Sequence, residues 1–312
     1  MRLLSRVAAG ALLVAPLIRA DATIRYHTDI QTTSMIPAAT LNQALGGMRD
    51  MLIRIKGNKA YSSQGNLTSI LDLMTQNLVL MDAANKRFAA VPAGQYTEQL
   101  KSAVAVVPEQ ARSVLATMKS NLESRSTGRT TAIQGIQAEE REFVLTVDMP
   151  LPGGPTAPTP FMKMVMQIWT AKPEETQRVP ALQELRNYTA SASSALNPAD
   201  MIKQLLSVMP GMGDSLGAMI EMTKNGGMML RTHTELSAPI LAMIAQQAPG
   251  RGLPVGLDPN APLMQMNQEV VELSADALED ALFQIPPDYQ PASLDEILKG
   301  AISAAAPPQF KQ

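Results

Sequence analysis

Residues 130–149, TTAIQGIQAEEREFVLTVDM, decide the fold class of this chain. The second half of this stretch alternates mainly apolar with mainly polar positions: Phe143, Leu145, Val147 and Met149 on one side, and Val144, Thr146 and Asp148 on the other. This spacing is typical of a β-strand with one buried face. A Gly-Ile-Gln turn at residues 135–137 is predicted to join it to a shorter strand before it. We therefore expect an antiparallel sheet with one apolar face.

The same alternation predicts further strands along the chain. Residues 22–33 give the clearest case, because Ile24, Tyr26 and Ile30 alternate with charged and polar residues. A hairpin with its turn at Gly57-Asn58 is predicted between residues 50–56 and residues 59–64. The other predicted strands are residues 67–74, 77–82, 87–91, 161–171, 228–237 and 266–274.

Helical spacing replaces this alternation in several segments. Apolar residues from position 95 to Leu122 recur every three or four positions, with an interruption at Pro108. Asn197-Pro198 fits a helix N-cap and first position, so a helix is predicted over residues 199–209. The other predicted helices are residues 214–224 and short segments within 172–185, 239–247 and 294–302. The fold class is therefore α+β.

Composition excludes several functions. The chain has 312 residues, of which 46% are hydrophobic and 17% charged, so it has ample material for a core. A net charge of -2 and an aromatic content of 4% argue against nucleic-acid binding, which depends on basic and stacking residues. Cysteine is absent, which excludes disulfides, a thiol nucleophile, a cysteine metal site and an acylated lipoprotein anchor.

The first 22 residues have the pattern of a signal peptide. Arg2 and Arg6 precede an apolar run over residues 7–18, and Ala20-Asp21-Ala22 forms an A-x-A cleavage site, with cleavage after Ala20 or after Ala22. The apolar run is shorter than the roughly 20 residues that span a bilayer. We expect an exported, periplasmic or extracellular protein without stable membrane insertion. One domain over residues 23–300 and a frayed tail at 301–312 would follow the signal.

Several segments together resemble a known family. These are the central pair in residues 130–149, the strand ending MQIWTAKPEE with RVPALQEL after it, the hairpin NLVLMDAANKRFAAVP and the closing ALFQIPPDYQP. They resemble bacterial exported domain-of-unknown-function proteins related to the LolA-like lipoprotein carriers. The resemblance implies an open, half-barrel sheet, strongly curved and antiparallel, with helices packed on its concave apolar face. The chain departs from the family in a longer helical insertion near residues 197–225.

Two motifs suggest catalysis but have simpler explanations. Gly213-Asp214-Ser215-Leu216 matches the block that names a hydrolase family, yet it lies between two predicted helices and lacks that family's later blocks. A helix cap by Asp214 or Ser215 explains it better. The chain has only two histidines, His27 and His233, and both lie on the polar faces of predicted strands. We therefore predict no catalytic residue, no metal site and no cofactor.

The 21 methionines are the one compositional excess. Methionine is flexible and polarizable, so it suits core packing and also a groove for variable apolar ligands, while thioethers favour Cu(I). Core packing is the simplest explanation, followed by an apolar groove and then copper. If there is a groove, its predicted lining is Met162, Met164, Met166, Ile168, Phe143, Leu145, Val147 and Met219.

The favoured hypothesis is an exported, non-enzymatic binding or carrier protein. Its curved sheet would enclose an apolar small molecule, a lipid or acyl chain, or a lipidated partner protein. The alternative is a structural or interaction protein of the cell envelope whose cavity is filled by its own helices. A Ser215-dependent esterase, with His233 as base, and a Cu(I)-binding protein are less favoured. The sequence leaves the ligand and the oligomeric state open.

Overall fold

The structure, a computed structural model, describes residues 21–32, 49–96, 98, 117–148, 160–196, 227–241, 258 and 261–298. In this part of the chain, twelve strands form one open and almost wholly antiparallel sheet with the order β12-β6-β5-β4-β3-β2-β1-β11-β10-β9-β8-β7. The expectation of an antiparallel sheet is confirmed. The predicted signal peptide up to residue 20, the helical insertion at 197–225 and the tail at 301–312 lie outside the described residues.

The predicted strands match the observed ones closely at most positions. Their bounds are β1 Ala22–Thr32, β2 Asp50–Lys56, β3 Lys59–Gln64, β4 Leu67–Asp72, β5 Asn77–Asp82, β6 Arg87–Pro92, β7 Lys119–Ile133, β8 Ile136–Asp148, β9 Pro160–Ala171, β10 Met229–Ser237, β11 Met264–Ser274 and β12 Gln290–Pro291. The first strand does not pair only with its neighbour in sequence. It pairs with β2 on one side and with β11 on the other, so the chain returns to its beginning near its end.

The central hairpin differs from the prediction in two ways. Its turn is Gln134-Gly135, both with positive φ, so Ile136 and Gln137 already belong to β8. Two residues with positive φ suit a tight turn between twisted strands. The partner strand β7 begins at Lys119, whereas helical spacing predicted a helix as far as Leu122. Pairing of Leu122 with Leu145 places it in the sheet instead.

Two helices follow β9 and pack on one face of the sheet. They are α1 Pro173–Arg178 and α2 Pro180–Leu196, each with proline at its first position. Ala181 and Leu182 at the start of α2 are fully buried against core residues of β1 and β2. The prediction of a short helix ending near residue 185 was wrong about its end. The alanine- and serine-rich sequence that follows contains no proline or glycine to stop it.

The segment after β11, residues 275–298, passes from one face of the sheet to the other. We call it the C-terminal strap. A 3₁₀ turn, Asp280–Phe283, places Phe283 against Ile70 and Met81 on the face opposite α2. The two residues of β12 then pair in parallel with β6 at the sheet edge. Beyond that edge, Leu294 and Ile297 join the core beneath α2, so the strap covers both faces of β4–β6.

The core lies mainly between α2 and the sheet. One cluster joins strands β1–β6 to α2 and the strap, and its most buried members are Ala22, Ile55, Ala181 and Ile297. A second cluster joins β1 and β11 to the turn ends of β7–β10 through Leu182. Within the described residues, no helix is long and apolar enough to cross a membrane.

Candidate apolar ligand site

Strands β8 and β9 bring most of the predicted groove residues onto one face. In the antiparallel register, Phe143 lies opposite Met166, Leu145 opposite Met164 and Val147 opposite Met162. Alternate residues of a strand share a face, so Ile168 continues the same row on β9. Seven of the eight predicted residues therefore lie together, and Met219 lies outside the described residues.

This group is buried to different degrees. Phe143, Leu145 and Val147 are only 2–3% exposed, Met166 and Ile168 are 8–9% exposed, and Met162 and Met164 are half-buried. Leu122 of β7 and Met229 of β10 pack against Phe143, Met166 and Ile168. We call these residues, with Met164, the methionine cluster. All six come from strands, in contrast to the clusters beneath α2.

A row of small polar side chains borders the methionine cluster on the same face. The register places Thr232 of β10 beside Ile168, Gln268 of β11 beside Thr232, and Thr28 of β1 beside Gln268. Thr28 and Thr232 are buried, and the Gln268 side chain donates to the Thr28 hydroxyl at 3.2 Å. We call these three residues the polar row. They are neutral groups that can donate hydrogen bonds to an oxygen of a bound molecule.

The sulfur of Met229 is engaged in the cluster itself. The Thr232 hydroxyl donates to Met229 Sδ at 2.9 Å, and the buried Tyr26 hydroxyl donates to the Met229 carbonyl oxygen at 3.0 Å. Burial raises the pKa of Tyr26 well above its usual range, so this phenol stays a neutral donor. The first bond lies within β10, and the second joins β10 to Tyr26 of β1 and so to the core cluster that contains Leu182.

The opposite face of the same strands is charged. In one row across the sheet, Asp50 lies beside His27, His27 beside Glu269, Glu269 beside Arg231 and Arg231 beside Trp169. Arg231 Nε is 2.8 Å from Glu269 Oε2, and its guanidinium carbon lies 5.7 Å from the Trp169 ring centroid. We call these five residues the charged row. It shows that the sheet has one apolar and one polar face in this region.

Both histidines lie on this polar face, as predicted. His27 Nδ1 is 3.0 Å from Asp50 Oδ1, and the His27 side chain is 55% exposed. His233 contacts Asn267 and Glu235. Among the described residues, no group of three or more histidine, aspartate or glutamate side chains is placed to hold a metal ion. Ser215, the esterase candidate, lies outside the described part of the chain.

The sequence alone missed three parts of this site. Leu122 was assigned to a helix, and Met229 was treated as an ordinary strand residue. The polar row was missed because its members come from three strands that are far apart in the chain. The only sign of it in the sequence is that threonine and glutamine occupy positions where strand alternation predicts an inward-facing side chain. This sign cannot be recognised from one strand at a time.

Comparisons with known proteins give weak results. No family model matches the chain, and no curated protein matches it. Among solved structures, the LolA superfamily protein NE2245 from Nitrosomonas europaea is 7% identical with a TM-score of 0.21, over 86% of this chain and 91% of that one. PNGF-II, solved in a C2 space group, is 8% identical with a TM-score of 0.31, over 91% of this chain and 33% of that one.

The chain thus spans about a third of the length of PNGF-II. Its likeness to a LolA superfamily protein is present but weak. Both likenesses are too low to assign the chain to a family or to carry an activity over to it.

Proposed function

We propose that the protein is an exported, non-enzymatic binding or carrier protein for an apolar ligand. In this proposal the sheet is curved, helices lie on its concave face, and a lipid, an acyl chain or a lipidated partner occupies the space between them. The observation that carries the proposal is the apolar face of β8 and β9, where seven predicted residues lie together and four of them belong to the methionine cluster.

The chemistry of this face suits an acyl chain. Burial of each CH₂ group contributes about 0.8 kcal/mol, so a long chain gains affinity without any specific polar motif. Methionine side chains have three flexible bonds and adapt to ligands of different shape. Met162, Met164 and Met166 alternate along β9 and would form an adaptable floor for such a chain.

The polar row suggests how an amphiphile would be oriented. Thr232 lies directly beside Ile168, so polar donors begin where the apolar surface ends. An ester or amide carbonyl of a lipid could accept a hydrogen bond from the Thr28 hydroxyl or from the second side-chain N–H of Gln268, while the acyl chain lies along β8 and β9. We therefore favour a ligand with one neutral polar end and one long apolar end.

Burial of the cluster favours a second candidate function. Phe143, Leu145 and Val147 are only 2–3% exposed, as in a core that the protein fills itself. On that basis the chain would be a structural or interaction protein of the cell envelope. The two functions differ in whether the purified protein carries lipid.

The first experiment is solvent extraction and mass spectrometry of protein purified from its native envelope. A lipid present in stoichiometric amount would support the carrier function and identify the ligand class. An empty protein that also fails to take up a fluorescent fatty acid would contradict it and favour the structural function.

A matched pair of variants locates the ligand. Met164→Glu places a charge on the half-buried surface of β9, and we expect it to lose most of the bound lipid because a buried charge is costly. Met74→Glu is the control, since Met74 is 77% exposed in a turn. Both variants should retain the circular dichroism spectrum of the wild type. Unchanged lipid content in Met164→Glu would show that the ligand lies elsewhere.

A further inference from the structure

The two possible signal cleavage positions differ in whether Asp21 and Ala22 remain on the mature protein. As residues at positions −3 and −1, Ala20 and Ala22 would direct cleavage to the bond after Ala22, and the mature chain would then begin at Thr23. Cleavage after Ala20 would leave Asp21 and Ala22 on the mature protein. The structure shows what each of these two residues does in the fold.

Ala22 is part of the core. It is the first residue of β1, it lies opposite Ile55 of β2, and its side chain is fully buried. It belongs to the same cluster as Ala181 of α2 and Ile297 of the strap. A chain that began at Thr23 would leave a gap where α2, the sheet and the strap meet.

Asp21 ties the start of β1 to the C-terminal strap. Its Oδ2 atom accepts a hydrogen bond of 2.7 Å from the backbone N–H of Leu278, across 257 positions of sequence. Lys56 lies at the same place, since its ammonium donates to the Leu278 carbonyl oxygen and lies 2.8 Å from Asp280 Oδ1. The pKa of Lys56 is raised, first by its bond to Asp280 and further by the charge of Asp21.

These four residues, Asp21, Lys56, Leu278 and Asp280, form what we call the strap latch. Both backbone polar groups of Leu278 are used in it, the N–H by Asp21 and the carbonyl by Lys56. Hydrogen bonds to charged groups are roughly twice as strong as bonds between neutral ones. Loss of Asp21 would remove one of the two ties that hold the strap at this point.

We propose that a leader peptidase hydrolyses the peptide bond between Ala20 and Asp21, so that the mature protein begins at Asp21. Water adds to the Ala20 carbonyl carbon and the C–N bond breaks. The leader departs with a terminal carboxylate, and Asp21 acquires an α-ammonium group. Ala20 is the small residue directly before this cut, and Ile18 stands at position −3. This inference rests on export, which is part of the proposed function.

The test is to express the full chain with its own leader in a Gram-negative bacterium. Protein from the periplasmic fraction is then analysed by intact mass and N-terminal sequencing. We expect a single species beginning at Asp21. A periplasmic species beginning at Thr23 or later would overturn the inference but leave export intact, whereas uncleaved chain confined to the cytoplasm would overturn both.

A variant tests how much the Asp21 carboxylate contributes to the stability of the processed protein. Asp21→Asn keeps the side-chain shape but removes the charge, and we expect the thermal unfolding midpoint of the processed protein to fall by about 2–4 °C. Asp29→Asn is the control, because Asp29 lies on β1, the strand that Asp21 directly precedes, and its side chain is exposed. A midpoint unchanged relative to this control would contradict the strap latch and overturn the argument built on it.

Discussion

The core beneath α2 and the methionine cluster are both apolar and buried, but they are covered differently. Beneath α2, strand residues such as Ile55 contact a helix and the strap. In the methionine cluster, the described contacts are between strands alone. In the first region, α2 and the strap cover the sheet and belong to the same core. The second presents adaptable side chains beside the polar row, and this difference is why we place the ligand there.

The largest expected effect distinguishes the two regions by stability. Ile55→Ala removes a fully buried side chain beneath α2 and should lower the free energy of unfolding by about 2–5 kcal/mol. Met166→Ala in the methionine cluster should cost less than Ile55→Ala in delipidated protein, because flexible neighbours can close part of the gap. Chemical denaturation of both variants measures the difference.

An equal loss of stability in the two variants would contradict the proposed difference in packing between the two regions. The methionine cluster would then be as tightly packed as the core beneath α2, as expected for a structural protein with a self-filled cavity. The denaturant slope should stay at the wild-type value in both variants, which shows that the unfolded and folded states are comparable.

Sequence alternation predicted most of the sheet because one face of each strand is buried against a core. It failed at β7, where Met118 and Leu122 fit helical spacing equally well. Leu122 belongs to the sheet because it pairs with Leu145, and strand pairing depends on tertiary structure. The strap could not be predicted either, since β12 is only two residues long and contains proline.

The candidate site was predictable where it lies on one hairpin of strands. Met162, Met164 and Met166 alternate in the sequence, and so do their partners on β8. The polar row was not predictable, because the order β1-β11-β10-β9 joins segments about 240 residues apart. Which polar residues border an apolar surface therefore depends on sheet order.

The pH dependence of stability also compares the two regions, because each has a buried tyrosine in or beside it. Burial raises the pKa of Tyr26 and of Tyr188 well above the usual value near 10. Because the unfolded chain ionises first, stability should be constant below about pH 10 and fall above it, by up to about 1.4 kcal/mol per pH unit for each tyrosine. Denaturation midpoints measured from pH 8 to 11.5 would show this fall.

Phenylalanine substitutions assign the alkaline loss to each region. Tyr188→Phe removes a phenol in α2 that donates to the Leu71 carbonyl oxygen at 3.3 Å. Tyr26→Phe removes the one that bonds Met229 beside the methionine cluster. Each should reduce the alkaline fall in stability and cost about 0.5–1.5 kcal/mol at neutral pH. If neither substitution at the buried sites alters the slope, other groups cause the alkaline loss.

The smallest effect is expected on the charged row. His27→Asn removes a contact with Asp50 in which both side chains are more than half exposed, and exposed pairs of this kind contribute at most about 1 kcal/mol. Stability and lipid content should therefore stay close to the wild-type values. A loss of bound lipid in His27→Asn would place a ligand contact on the polar face, against the site proposed at the methionine cluster. If both properties are retained, His27 serves neither folding nor ligand binding.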